Sequence, residues 1–268
     1  MTMEKTLWEY IQSVKDQSPL IHNITNYVVM NNTANALLAV GASPVMAHAK
    51  SEIKDMASIA SAVLINIGTL DEYWSEAMLI AAKAAHTLNK PWVLDPVGAG
   101  ATPYRNEILQ KLLQYRPTVI RGNASEILAL AKSNSSVTKG VDSIALSNEA
   151  VQAALDLVND YGSIVCISGA TDIILNDSGQ IYFIKNGHPM MTKVTGLGCT
   201  ASALTAAFIA VTENKTEATT AAMALLGIAG ELAEKQSSGP GSLQMNLLDK
   251  LYAVTETEFS GYLKVAME

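Results

Sequence analysis

The 268-residue chain has only two cysteines, Cys166 and Cys199. They supply no disulfide framework and no zinc-finger spacing, and a reducing cytoplasm is the expected setting. Charge is also scarce: charged residues make up 16%, the net charge is −7, and no Lys/Arg run stands out. A nucleic-acid surface or a basic membrane face is therefore disfavoured. With 49% hydrophobic residues, the chain is not a disordered, charge-rich segment. Long hydrophobic runs are missing too. The most apolar stretches, residues 197–211 and 221–229, are short and rich in Ala, Gly and Thr, whereas a spanning helix needs about 20 strongly apolar residues. The N-terminal segment MTMEKTLWEYIQ is charged and amphipathic and lacks an apolar signal core. No low-complexity tract, long linker or internal repeat interrupts the chain, so one domain over residues 1–268 is expected.

Apolar runs of strand length alternate with longer helical stretches, which is the pattern of an α/β protein. Strands are expected at 20–24, 43–46, 62–66, 92–95, 118–121 and 163–168. Several are apolar throughout, as strands buried on both faces should be. Helices are expected at 32–40, 73–88, 107–115, 125–132 and 148–161. Strands 172–175 and 181–184 flank the turn Asn176-Asp177-Ser178-Gly179 and read as a hairpin, so the later sheet should be mixed. The final third is Ala-rich, with helices near 199–211, 216–235 and 243–263.

In an open parallel sheet, ligands sit beyond the C-terminal ends of the strands. The residues just past each strand are therefore the informative ones. Thr195-Gly196-Leu197-Gly198-Cys199 leads into a helix. Its glycines permit a tight turn and close ligand approach, and the helix start adds free amides and a positive dipole end. This reads either as an anion hole for a phosphoryl group or as a tight loop before a packed helix. Cys199 in the first turn stands where a thiolate is stabilised. Asp95 follows an apolar strand and precedes Pro96. It can hold Mg²⁺ through water or organise its own turn. Asn123-Ala124-Ser125-Glu126 matches a capping box, with the alternative that Glu126 faces the same cleft as Asp95. Arg121 suits a nucleotide phosphate or a surface ion pair. Ser168 and Gly169 offer a hydroxyl and a bare backbone, or a plain turn. Asn23, Thr25 and Asn26 can orient a polar heterocycle or cap the next helix. Met46 suits a flat aromatic ligand or fills a core gap. His22 and His48 have no partner spacing that implies a metal. No Gly-x-Gly-x-x-Gly follows the first strand, which disfavours a dinucleotide oxidoreductase, and there is no Walker lysine loop.

The order of these motifs resembles the hydroxyethylthiazole kinases, ribokinase-like enzymes of thiamine biosynthesis and salvage. The resemblance runs from about Ser18 to about Tyr252. It is carried by Ile21-His22-Asn23-Ile24-Thr25-Asn26, Gly41-Ala42-Ser43-Pro44-Val45-Met46, Trp92-Val93-Leu94-Asp95-Pro96-Val97-Gly98-Ala99, Arg121-Gly122-Asn123-Ala124-Ser125-Glu126 and Thr195-Gly196-Leu197-Gly198-Cys199.

The resemblance implies a ribokinase-like three-layer α/β sandwich with a mostly parallel sheet. It implies ATP-dependent phosphorylation of 5-(2-hydroxyethyl)-4-methylthiazole with Mg²⁺. By matching position, Met46 and Gly196 contact the thiazole and Asn26 lies beside it. Arg121 and Ser168 contact ATP, with Ser168 standing where Thr is common. Asp95 and Glu126 serve the magnesium–phosphate region. The Gly196–Cys199 amides, Gly198 included, form the catalytic anion hole, and Cys199 stands where sugar kinases of the wider group carry an Asp base. Family members are similar to one another in being homotrimers with sites between subunits. The nearest rival is a hydroxymethylpyrimidine kinase. More distant rivals are the ATP-dependent dehydratases of hydrated nicotinamide cofactors and a non-catalytic binding protein.

Overall fold

The computed structural model describes residues 2–132 and 145–268. Among these residues nine strands form one sheet: β1 Leu20–Ile24, β2 Ser43–Val45, β3 Ala62–Asn66, β4 Trp92–Asp95, β5 Val119–Asn123, β6 Ile164–Ser168, β7 Asp172–Leu175, β8 Ile181–Ile184 and β9 Val265–Met267. Their spatial order is β2-β1-β3-β4-β5-β6-β7-β8-β9. The first six lie parallel, and the last three attach antiparallel. All five residues of β3 are buried, as apolar runs in the middle of a covered parallel sheet should be. The hairpin turn at 176–179 forms as expected, with Asn176 Oδ1 accepting from the Ser178 and Gln180 amides at 3.0 and 3.2 Å.

The helices are α1 Met3–Gln17, α2 Met30–Ala39, α3 Ile53–Ile59, α4 Glu72–Thr87, α5 Pro103–Leu113, α6 Ala124–Lys132, α7 Ala145–Tyr161, α8 Leu197–Ile209, α9 Lys215–Glu234, α10 Pro240–Ala253 and α11 Glu256–Tyr262. They cover both faces of the sheet and bury two apolar clusters. One draws on α1, α2 and α8 to α11, the other on α3 to α7. Alternation along β1 sends Ile21 into the first cluster and Ile24 into the second. That is the three-layer arrangement expected of a doubly covered sheet. Among the described residues no helix is long and apolar enough to cross a membrane.

Several expectations need correction, among them the helix at 107–115, which forms at Pro103–Leu113 behind a Thr102 cap. The helix at 243–263 is two helices. Val254 leaves the helical conformation, at φ −56° and ψ 132°, and Thr255 caps α11 through a capping box with Glu258, a stop-and-restart that apolar spacing alone does not show. The helix expected from Cys199 begins at Leu197 with Gly196 as its cap. The strand at 43–46 ends at Val45. Helices α1 and α3, a 3₁₀ turn at Pro189–Lys193 and the edge strand β9 were not anticipated as elements. The last three are too short to give a periodic signal.

Candidate active site

The C-terminal ends of β1, β3, β4, β5 and β6 converge on the start of α8. Gly196 caps that helix in the left-handed region, at φ +80°. A Cβ at this position would stand 2.2 Å from Val29 Cγ1, so both torsion and space require glycine. The first helical bond of the turn is the Thr200 amide to the Gly196 carbonyl at 2.9 Å. The amides of Leu197, Gly198 and Cys199 therefore have no partner within the helix, and they sit at the positive end of its dipole.

On one side of this turn lies a cleft of about 630 Å³, lined by Arg121, Ser168, Asp172 and Gly198, with Met223 and Leu226 as apolar wall. Arg121 is buried, at 8% exposure. Its Nε has no hydrogen-bond partner, and no carboxylate lies within ion-pair distance of it among the described residues. A buried cation that forms no ion pair is expensive, so this guanidinium is set for an anion. Gly198 makes room for it: a Cβ there would stand 2.9 Å from Arg121 Nη1. Ser168 Oγ donates to the Gly122 carbonyl at 3.3 Å, which turns its hydroxyl along the sheet edge.

Asp172, at the start of β7, accepts from the Gly169 amide at 3.0 Å. Burial pushes its pKa up to about 6, against that donation and the pull of Arg121. The folded chain thus holds the proton more tightly than the unfolded chain, so stability falls as pH rises from about 4 through about 6. Above that window the ionised, buried carboxylate costs on the order of 3 kcal/mol. Asp172→Asn is expected to unfold at a higher temperature than the wild type at pH 7.5, and this advantage should vanish near pH 4. Thermal melts at the two pH values check it; an equal gap at both would remove Asp172 from the account.

On the other side of the α8 start is a buried polar cluster. Asp95 Oδ2 accepts from Asn66 Nδ2 at 2.7 Å and from Ser202 Oγ at 2.8 Å. Asn26 Nδ2 donates to Asn66 Oδ1 at 2.8 Å and to Cys199 Sγ at 3.4 Å. The structure thus brings Asn26, Asp95, Gly196, Gly198 and Cys199 around one helix turn, with Arg121 and Ser168 in the adjoining cleft. Burial pushes the pKa of Asp95 up to about 6; Arg121 opposes this most, with Ser202 and Asn66 adding to its pull, while Glu126 reinforces the rise.

Cys199 departs from expectation. Burial and the nearby Asp95 push its thiol above the usual value, against the lowering effect of the neighbouring Asn66 and Asn26 amides. Desolvation, the largest cause of the rise, disfavours the thiolate expected from the helix start. Glu126 forms the capping box read from the sequence: its Oε2 accepts from the Asn123 amide at 2.9 Å, and Asn123 Oδ1 accepts from the Glu126 amide at 3.0 Å. Its Oε1 also takes the Gly98 amide at 3.0 Å, which ties α6 to the loop after β4. Met46 is half-buried in the loop after β2. That loop joins the site through aromatic contacts: His48 stacks on Trp74 at 4.2 Å, and Trp74 lies 4.6 Å from Tyr27.

Sequence reading missed four contributors. Asn66 was noted only as a strand end, and Asp172 only as the first residue of a hairpin. Ser202 lies three residues after Cys199 on a helix, a spacing that puts both on one face. Arg105, from α5, donates to the carbonyls of Ile67, Val97 and Gly68 at 2.6, 2.8 and 2.8 Å. It pins the loops after β3 and β4 together, and no local signal marks it.

A sheet of this order, with a glycine-capped helix start between a cleft and a carboxylate, is a ribokinase-like fold. The structure of a ribokinase-like superfamily protein from Enterococcus faecalis overlays with a TM-score of 0.67 at 14% identity, over 93% of this chain and 95% of that one, a likeness of fold alone. More particularly, the chain belongs to the hydroxyethylthiazole kinase family, whose model matches residues 11–257. A hydroxyethylthiazole kinase of Syntrophus aciditrophicus is 55% identical over 266 residues, covering 99% of this chain and 98% of the relative. The structure of the hydroxyethylthiazole kinase from Pyrococcus horikoshii overlays with a TM-score of 0.91 at 42% identity, over 98% of this chain and 99% of that one.

Proposed function

We propose that this chain transfers the γ-phosphoryl group of ATP to the primary hydroxyl of 5-(2-hydroxyethyl)-4-methylthiazole, in thiamine biosynthesis and salvage. The observation that carries the reading is the buried guanidinium of Arg121, its Nε without a hydrogen-bond partner, beside the open amides of the α8 start. That arrangement suits a polyphosphate whose terminal group points at Gly198 and Cys199. The cleft then takes ATP, held by Arg121 and Ser168. The alcohol lies across the helix start, near Asn26 and Gly196, with Met46 against the ring.

Phosphoryl transfer is chiefly a problem of position and charge. The amides of residues 197–199 stabilise the transferring oxygens. Asp95 and Glu126 fit a magnesium ion in different ways. Asp95 Oδ2 is taken by Asn66 and Ser202, while no described donor reaches Oδ1, which is left for the ion or its waters. Both Glu126 oxygens already accept backbone amides, so its contribution is negative charge and a fixed loop. When bound, Mg²⁺ neutralises charge on the phosphates, and it needs only one or two carboxylates because it keeps several waters.

Cys199 stays a thiol and is at most a weak base. Because a loose transition state needs little early deprotonation, Cys199→Ala should retain measurable turnover and Cys199→Asp should be active at neutral pH. A folded Cys199→Ala enzyme with no turnover would make the thiol essential.

The exposed apolar rim beside Asn26, with Tyr27 57% and Val28 62% exposed, supports an interface between copies of this chain beside the site; the family resemblance makes that assembly a homotrimer with sites between neighbouring subunits. The single continuous sheet supports one domain over residues 1–268, and two free cysteines support a cytoplasmic setting. The direct test is ADP release with the thiazole alcohol, with and without Mg²⁺, beside the hydroxymethylpyrimidine alcohol. Magnesium-dependent release with the thiazole is expected. Faster release with the pyrimidine would move the assignment to the rival kinase.

A further inference from the structure

Two buried amides in the cluster have orientations that their surroundings dictate. Asn66 is fully buried at the end of β3, directly beside Asp95 in the parallel register. Its Oδ1 accepts the Gly68 backbone amide at 3.0 Å. A backbone N–H needs an acceptor, so the oxygen must face it and Nδ2 must face Asp95. Asn26 is set in the same way: its Oδ1 accepts the Val28 amide at 3.1 Å, so its Nδ2 must point at Asn66 Oδ1 and Cys199 Sγ. Gly68 has no side chain to obstruct this; a Cβ there would stand 2.5 Å from Asn26 Nδ2.

The bonds therefore run with one polarity. Asn66 gives a hydrogen to Asp95 Oδ2 and receives one from Asn26, which gives its other hydrogen to Cys199. We infer that Asn66 is a positioning residue that joins the two halves of the site, fixing which Asp95 oxygen faces the phosphate side while holding Asn26 and Cys199 toward the alcohol side. It touches neither substrate. The catalytic part of this inference rests on the kinase reading above, whereas the bonding part does not.

Polarity makes the role testable apart from space-filling. Asn66→Asp keeps the shape but sets an acceptor against Asp95 Oδ2, whereas Asn66→Ala removes the link. Both are expected to lower kcat by about 30-fold or more, with KM for ATP within about 3-fold of the wild type, because the nucleotide cleft is untouched. Aspartate should be no better than alanine. Near-normal kcat for Asn66→Asp would reduce Asn66 to packing and overturn the inference.

A second readout needs no turnover. Cys166 is fully buried and Cys199 is partly exposed, so the rate of alkylation by iodoacetamide reports on Cys199. Amide donation to sulfur favours the thiolate. Asn66→Ala should therefore slow alkylation several-fold, in step with Asn26→Ala, with melting temperatures showing that both variants are folded. A wild-type rate in folded Asn66→Ala would overturn the inference even if turnover fell. If the wild-type protein failed to phosphorylate the alcohol while the alkylation pattern held, the kinase reading would fall and the positioning role of Asn66 would stand.

Discussion

Arg121→Met is expected to lower kcat/KM for ATP by about 1,000-fold while leaving the protein as stable as the wild type or more so. The two halves of this result have one cause. The guanidinium is buried with Nε unpartnered, and among the described residues no carboxylate comes within ion-pair distance, although Asp95 and Asp172 are near enough to feel its charge. Methionine fills similar volume without a charge to desolvate, and replacing buried charge with well-packed apolar groups is often neutral or stabilising. In the complex the same guanidinium is the charge that meets phosphate, and losing a preorganised donor of this kind costs about 100- to 1,000-fold for each interaction. Arg121→Lys should recover only part of the rate, because an ammonium lacks the planar fork. Steady-state kinetics beside thermal melts decide the matter. A destabilised Arg121→Met protein with normal ATP kinetics would show that the residue is structural.

Asp95→Asn should lower kcat by about 100- to 1,000-fold and flatten the magnesium dependence. The substitution is nearly isosteric, so its effect depends on orientation. Asn66 and Ser202 both donate to the present Oδ2. An amide at position 95 must turn its oxygen toward these donors, which places its nitrogen where the free oxygen was. The cleft then presents a donor where a hydrated cation requires an acceptor. Burial opposes the native carboxylate charge, so the variant should fold at least as stably. Rates measured across a magnesium titration check this; a response parallel to the wild type would take Asp95 out of the metal region.

Much of this site was visible in the sequence because an open parallel sheet delivers its chemistry at predictable places. Asp95, Arg121 and Ser168 each lie at or near a strand end, and Gly196 and Gly198 announce a tight turn before a helix. The capping box of Asn123 and Glu126 was readable because its bonds span only three residues. What stayed hidden depends on contacts between distant segments. Arg105 reaches loops about 40 residues away in the chain, and the stack of His48 on Trp74 joins separate βα units. Cys199 shows a different limit. Its place in the first helical turn favours a thiolate, and only the folded chain reveals the burial that reverses the preference. The break between α10 and α11 was missed because apolar spacing continues across it, although Thr255 and Glu258 already spell the signal.

The space over the α carbon of Gly198 also bears on ancestry. That space is filled by Arg121 Nη1, 2.9 Å from where a methyl group would begin. Neither position can change freely while the other is kept. Across descendants of a common ancestral enzyme, glycine at 198 and arginine at 121 should be inherited as a pair. A lineage that acquires a side chain at 198 should also carry a shorter or uncharged residue at 121, and should have found another way to grip its nucleotide.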